Sequence, residues 1–419
     1  MLIDSLVLSG KCSCGREHSM STKAAVIESG CLKDFEKYME SYAISGKRCA
    51  LYGENSYKAV EGLRPAAEQE IVLKSDGLHA NEISTAEVLA LMEQDIEVLI
   101  AVGSGTIHDI ARFCAHERGI RFVSVPTAAS VDGFCSTVAA MTWYGFKNTM
   151  PAVAPEIVVA DTDVIKAAPA ELVKSGIGDI MAKYTALADW KIAQALCGEY
   201  VCERIWNMMH EAADTAMASV PGIIKGEDKA FADVTYALIM SGLAMQMMGN
   251  SRPASGCEHH ISHMIEMGPE ALEVSFSAMH GEKTGVGSVL GAAEYEKLAA
   301  IEDISPYVKE YEALDRDKLH AFFGDKLTDG VMEENATDSL AKVGAADIIR
   351  AWPEIRAIVA AMPSSNELFR LLEELDAKRT PEDIGVSSSE IPRLLDYSPL
   401  VRNRLTLMRA RRMINLEII

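Results

Sequence analysis

Hydrophobic positions along this chain change their spacing once. Over the first 165 residues, short apolar runs alternate with stretches of helical period. Residues 48–52 (Arg-Cys-Ala-Leu-Tyr) and 71–73 (Ile-Val-Leu) are strand-like, and residues 56–64 and 83–93 follow them with helical spacing. Residues 98–102 (Val-Leu-Ile-Ala-Val) form an unbroken apolar run, the pattern of a strand buried on both faces of a parallel sheet, and a helix to about residue 118 follows. Residues 120–126 and 157–160 supply further strands. Strand–helix repetition of this kind predicts a Rossmann-like doubly wound parallel sheet.

Beyond Thr162 the glycine-bounded strands stop and amphipathic helical stretches take over, at 171–197, 202–220, 230–248, 307–323 and 367–375. A polar loop over 380–389 precedes a last predicted helix at 398–412. We therefore expect an α/β domain over residues 1–165 and an all-helical domain over 166–419, with an active site in the cleft between them.

Composition narrows the functional classes. The 419 residues are 49% hydrophobic and 24% charged, as in a globular chain able to bury a large core. Acidic residues outnumber basic ones, 61 to 40, for a net charge of -21. Such a surface repels phosphodiester backbones and anionic lipid, so no nucleic-acid partner is expected. The longest apolar run, 237–248, is interrupted by Ser241, Gly242 and Gln246 and falls short of the roughly 20 residues of a membrane span, so none is expected. Nine cysteines, an odd number without a small-domain framework, read as reduced thiols. With an acid at position 4 where a signal peptide is basic, the expected location is cytoplasmic.

Two loops and a histidine cluster carry the candidate chemistry. Gly103-Ser104-Gly105-Thr106 follows a strand and opens a helix, where backbone N–H groups and the helix dipole favour a phosphate. Position 108 is His, so the full G-x-G-x-x-G fingerprint is absent, and a plain strand-to-helix turn is the alternative. The next connection, Pro126-Thr-Ala-Ala-Ser-Val-Asp-Gly133, is rich in small polar residues at the carboxyl end of a strand, where ligands of open α/β sheets collect. Asp132 there either meets a substrate hydroxyl or caps the following segment. Four of ten histidines fall between 259 and 280: His259, His260, His263 and His280. Converging imidazoles commonly hold a catalytic transition metal, and Asp179, in a largely apolar stretch, is the candidate carboxylate ligand. Helical spacing alone pairs His259 with His263. Cys12-Ser-Cys14 with His18 offers at most three ligands and reads as a reduced N-terminal turn, and Cys257 reads as structural.

In their order, the glycine loop, Asp179, His259 and His280 resemble the iron-containing alcohol dehydrogenase superfamily, which also holds glycerol dehydrogenases and dehydroquinate synthases. Within it, Ser251-Arg-Pro-Ala-Ser-Gly-Cys-Glu-His259 with Ile261-Ser-His263, the 126–133 loop and Val401-Arg-Asn-Arg-Leu-Thr406 are similar to the sn-glycerol-1-phosphate dehydrogenases of the bacterial AraM type. The resemblance implies a dehydroquinate synthase-like architecture and a reversible, NAD(P)H-linked reduction of dihydroxyacetone phosphate to sn-glycerol 1-phosphate, a backbone for lipid synthesis. It implies a homodimer and one divalent ion per subunit on Asp179, His259 and His280, zinc first, with nickel or iron as alternatives. His263 and Asp132 then fall on the substrate as catalytic groups. Arg252 becomes the phosphate clamp, with Lys183 and Lys283 as weaker candidates. Gly103, Ser104, Gly105 and Thr106 would cradle the cofactor pyrophosphate, Thr127 and Ser130 would flank ribose or nicotinamide, and Lys147 would contact the cofactor. Glu54, after the first strand, would take the adenosine ribose and lean the preference toward NAD. A simple alcohol dehydrogenase, or a lyase related to dehydroquinate synthase, is the rival reading.

Overall fold

Among the described residues, eleven strands form in chain order: β1 (Leu2–Asp4), β2 (Gly10–Lys11), β3 (Glu17–His18), β4 (Ala24–Glu28), β5 (Arg48–Gly53), β6 (Gln69–Leu73), β7 (Val98–Gly103), β8 (Arg121–Pro126), β9 (Val138–Trp143), β10 (Phe146–Pro151) and β11 (Ile157–Asp161). This computed structural model describes residues 1–275 and 277–415, with Phe146 and Lys147 described by their backbone alone. The described residues divide into two compact units, Met1–Ile180 with Glu211–Ser251, and Met181–His210 with Arg252–Ile419. The strands end at Asp161, and residues 162–180 and 211–251 fall in the same unit as the sheet.

In the first unit, seven strands run in the order β1-β4-β11-β8-β7-β5-β6. All pair in parallel except β1, which lies antiparallel on β4. Alternate residues of the central strands feed two different cores. Ala50, Tyr52, Val98, Ile100 and Val102 face one side. Cys49, Leu51, Leu99 and Ala101 face the other. Burial on both faces explains why these strands are continuous apolar runs in the sequence. The chain leaves β5 outward to β6 and returns to β7 on the opposite side of β5. That reversal makes β5/β7 a topological switch point, and ligands of open α/β sheets bind at the carboxyl ends of the strands there. Gly53-Glu54 and Gly103-Ser104 stand at those ends.

The helix Asp228–Met248 in the same unit is long and apolar enough to cross a membrane by length and composition, yet 78% of its most apolar stretch is buried in the protein. It lies so close to the segment Gly133–Cys135 that a Cβ on Gly242 would sit 2.7 Å from the Cβ of Cys135.

The second unit is helical. Its centre pairs Cys257–Met267 with His280–Ala299. Gly287 and Gly291 let these helices close up, since a Cβ at either would approach the Glu258 carbonyl oxygen (2.9 Å) or Cys257 Sγ (2.7 Å). Two helix expectations need correction. Residues 308–315 are not helical: Pro306 sits in a short 3-10 turn, Ser305–Tyr307, Val308 bridges to Ile414, and the α-helix starts only at Arg316, capped by Asp315. Likewise 398–412 is broken into 3-10 turns and the short helix Leu407–Ala410, capped by Thr406, while Arg402 and Arg404 lie in the non-helical stretch.

Candidate functional site

The first unit builds the nucleotide-type loops. Ser104 is the N-cap of the helix Gly105–Arg118 but makes no side-chain cap bond, so the first-turn N–H groups get no partner from it. Glycine is required at both ends of this turn. A Cβ on Gly103 would sit 2.8 Å from the Cβ of Ile107, and one on Gly105 would sit 2.9 Å from Cγ2 of Val131. His108 explains the missing third glycine. Its ring is buried, with Nδ1 2.9 Å from the Ser104 carbonyl oxygen and Nε2 2.8 Å from Ser124 Oγ. Burial, with the nearby Arg112 charge, lowers its pKa to about 3, so it packs as a neutral hydrogen-bonding group. Thr127 N donates to the Gly103 carbonyl at 3.0 Å, which ties the two loops together. Buried Arg112 then donates to the carbonyls of Ser136, Phe134 and Val138 and fixes the segment beyond.

Around the second loop, Ser130 Oγ is buried with no hydrogen-bond partner, an unmet polar group of the kind a ligand satisfies. Asp132 does not cap the segment after it. Its carboxylate accepts from Ser241 Oγ at 2.8 Å, and its backbone N–H donates to Asp179 Oδ2 at 2.9 Å. Asp132 and the fully buried Asp179 are therefore neighbours. At the switch point, exposed Glu54 accepts from Ser75 N at 3.2 Å. Lys147 lies in β10, and its side chain is outside the described residues.

The second unit gathers imidazoles. The ring centroids of His259, His263 and His280 lie 5.3 to 6.2 Å apart. Glu258 accepts from His259 Nδ1 at 2.8 Å, which places the proton on Nδ1 and leaves Nε2 as a lone-pair donor. The Glu258 carboxylate also accepts from Gly256 N (2.7 Å) and Thr185 Oγ1 (2.6 Å). Burial alone would raise its pKa, but the hydrogen bonds from His259, Thr185 and Gly256 outweigh that and hold it below the usual value. Glu266 holds His280 Nδ1 at 3.2 Å and Lys283 Nζ at 3.3 Å. His263 is kept well below its ordinary pKa by burial and the nearby Arg402 charge, and its Nδ1 is buried without a hydrogen-bond partner.

Arg252 is more committed than an open clamp. Its Nε donates to Glu199 at 2.7 Å, and its Nη2 donates to the carbonyls of Asp189 and Leu405, each at 2.9 Å. Lys183 Nζ donates to the Ala254 carbonyl at 3.0 Å, and Arg404 Nη1 to the Ser255 carbonyl at 2.7 Å. Three cations thus stitch the 252–256 loop to the helix Lys183–Cys197 and the 402–406 stretch. Burial and the Arg252 charge bring the Arg404 pKa down to about 10. Sequence reading missed Ser241, Glu258, Glu266 and Arg404 as site neighbours. Of these, the step from Glu258 to His259 and the Arg402-Asn-Arg404 repeat were visible in the sequence.

The family model described as iron-containing alcohol dehydrogenase matches residues 26–169. Among curated proteins, the chain is 36% identical over 306 residues to a glycerol-1-phosphate dehydrogenase (NAD(P)+) of Bacillus licheniformis, covering 69% of this chain and 74% of that one. A protein of the same name from Geobacillus stearothermophilus is 34% identical, over 78% of this chain and 75% of its own. Among solved structures, a probable glycerol dehydrogenase from Sinorhizobium meliloti 1021 has the same fold, with a TM-score of 0.60 at 15% identity, covering 91% of this chain and 89% of that one.

Proposed function

This chain belongs to the glycerol-1-phosphate dehydrogenase family, and on that footing we propose that it reduces dihydroxyacetone phosphate to sn-glycerol 1-phosphate with NAD(P)H, reversibly. The observation that carries the reading at residue level is the Glu258-oriented His259 beside His280 and His263. Asp179, His259 and His280 are proposed to hold one divalent ion. Two imidazoles and a carboxylate suit zinc, nickel or ferrous iron, and zinc is the first choice. When bound, the ion supplies Lewis-acid polarisation of the C2 carbonyl, and the reduced nicotinamide supplies the hydride.

The remaining work falls to the chain's own side chains. Asp132, steadied by Ser241, orients a substrate hydroxyl. His263, held neutral by burial, hydrogen-bonds the substrate and exchanges the proton of the C2 oxygen with water. Arg252, Lys183 and Arg404 form the proposed phosphate seam, supported by three cations drawn to one loop. Gly103, Ser104, Gly105 and Thr106 receive the pyrophosphate, and Thr127, Ser130 and Lys147 flank the rest of the cofactor. Glu54 disfavours a 2′-phosphate by charge, which leans the choice toward NAD.

We further propose a cytoplasmic homodimer whose product enters lipid synthesis, and nine free cysteines support a reduced compartment. The test compares NADH oxidation with dihydroxyacetone phosphate and with dihydroxyacetone, and, in the reverse direction, NAD+ reduction with glycerol 1-phosphate and with glycerol. A kcat/KM highest for the phosphorylated ketone supports the reading. Equal or higher values for the neutral substrates transfer the chain to the simple alcohol dehydrogenases, and product formed without net NADH loss would indicate a lyase.

A further inference from the structure

The N-terminal hairpin of the first unit builds a second group of metal-type donors, apart from the histidine cluster. β2 and β3 pair antiparallel, Gly10 opposite His18 and Lys11 opposite Glu17. Between them, Cys12 N donates to the Arg16 carbonyl at 2.9 Å and Gly15 N to the Cys12 carbonyl at 3.0 Å. Gly15 has φ +86°, the left-handed conformation that lets the chain turn sharply after Cys14. The turn brings the thiols of Cys12 and Cys14 and a ring nitrogen of His18 within 4.8 Å of one another. Cys14 Sγ is 3.5 Å from His18 Nε2.

The orientation of His18 distinguishes this group from an ordinary reduced turn. Its ring is buried, and Nδ1 lies 2.7 Å from the Met247 carbonyl oxygen. A carbonyl only accepts, so Nδ1 carries the proton and Nε2 turns its lone pair toward the thiols. Metal-ligating histidines are oriented in the same way, with the other ring nitrogen donating to a carbonyl or carboxylate. Neither cysteine is in a disulfide. Two soft sulfurs and an imidazole suit zinc and its congeners and do not suit the oxygen-seeking magnesium or calcium.

We propose that Cys12, Cys14 and His18 bind a zinc-type divalent ion in a structural site separate from the catalytic one. Bound there, the ion clamps the hairpin to the carboxyl end of the helix Asp228–Met248, which also presents Ser241 to Asp132.

The test is a Co(II) titration of the reduced full-length chain after chelator treatment. A thiolate-to-cobalt charge-transfer absorption should saturate at one equivalent and disappear in Cys12→Ser and Cys14→Ser. The proposed catalytic ligands include no sulfur and cannot produce that absorption, so failure here and failure of the proposed function read out separately. Should the variants not fold, wild-type protein still decides. Zn(II) should protect Cys12 and Cys14 from iodoacetamide, mapped by peptide mass, while exposed Cys197 reacts regardless. An absent charge-transfer band, or equal alkylation with and without zinc, overturns the site.

Discussion

Replacing Glu258 by Gln removes a charge from beneath a proposed metal ligand while leaving its hydrogen bonds satisfiable. Oε1 of Glu258 accepts from both His259 Nδ1 (2.8 Å) and Gly256 N (2.7 Å), and Oε2 accepts from Thr185 Oγ1 (2.6 Å). A glutamine in the same rotamer keeps its amide oxygen for the two nitrogen donors and turns its NH2 toward the Thr185 hydroxyl, which is able to accept. Folding should survive, because the Thr185 hydroxyl keeps the Ala182 carbonyl as its acceptor at 3.0 Å and only the weak donor Cys257 Sγ, 3.9 Å from Oε2, loses a partner. The negative charge that makes His259 Nε2 a stronger donor is gone. Carboxylate partners of ligating histidines are worth about 10- to 100-fold in metal affinity, or roughly 1.4 to 2.8 kcal/mol at tenfold per 1.4 kcal/mol. The assay is zinc competition against a chromophoric chelator, with the thermal midpoint measured in parallel. Glu258→Gln should weaken zinc in that range with little change in midpoint, and Glu258→Leu should weaken it further and also lose stability. Zinc affinity within twofold of wild type in both variants would refute the coupling of Glu258 to the metal through His259.

Other variants separate the remaining roles. Gly103→Ala forces a Cβ to within 2.8 Å of Ile107; overpacking costs of roughly 1–3 kcal/mol predict an NADH KM raised about tenfold or more with zinc affinity unchanged, measured by steady-state kinetics. Ser241→Ala takes the 2.8 Å donor from Asp132; hydrogen bonds to charged groups are worth roughly 1.5–3 kcal/mol, so kcat/KM for dihydroxyacetone phosphate should fall by about tenfold or more while NADH binding holds. Arg252→Ala and Arg404→Met should each raise the dihydroxyacetone phosphate KM about tenfold, the loss of one charge-assisted phosphate contact, and leave that of dihydroxyacetone alone; equal effects on both ketones would make these cations loop anchors only. Burial, with Glu258 nearby, raises Asp189 to about 7. An unfolded carboxyl ionises near 3.9, so between those values the folded state holds a proton that the unfolded state has lost. Stability therefore falls as pH rises from about 4 to about 7 and levels off above. Asp189→Asn should flatten that slope in denaturant titrations at pH 5 and 7, and a slope identical to wild type would show that Asp189 ionises normally.

The sheet was legible because its central strands are buried on both faces and so appear as unbroken apolar runs: Val98–Gly103 was read to within one residue. Short edge elements such as Leu2–Asp4 and the hairpin of β9 and β10 carry no such signal. Helical period overran at 307–323 and 398–412, where Pro306 and Pro399 and local capping by Asp315 and Thr406 override amphipathic spacing. At the site, residue type pointed to the histidines and the glycine loop. Partners distant in sequence did not show, since Ser241 is 109 positions from Asp132 and meets it only through the close approach that Gly242 permits. His108 was read as a defect in a glycine fingerprint, whereas its bonds to Ser104 and Ser124 make it part of the loop's support. The hairpin cysteines were read by ligand count alone, and no spacing rule encodes that Met247 orients His18.

The central claim is the reaction itself, and the configuration of its product tests it most directly. Zinc-loaded protein given dihydroxyacetone phosphate and NADH should consume the two in equal amounts and yield sn-glycerol 1-phosphate, identified by stereospecific analysis of the product. Formation of the 3-phosphate, or no product from metal-loaded protein, would contradict the account.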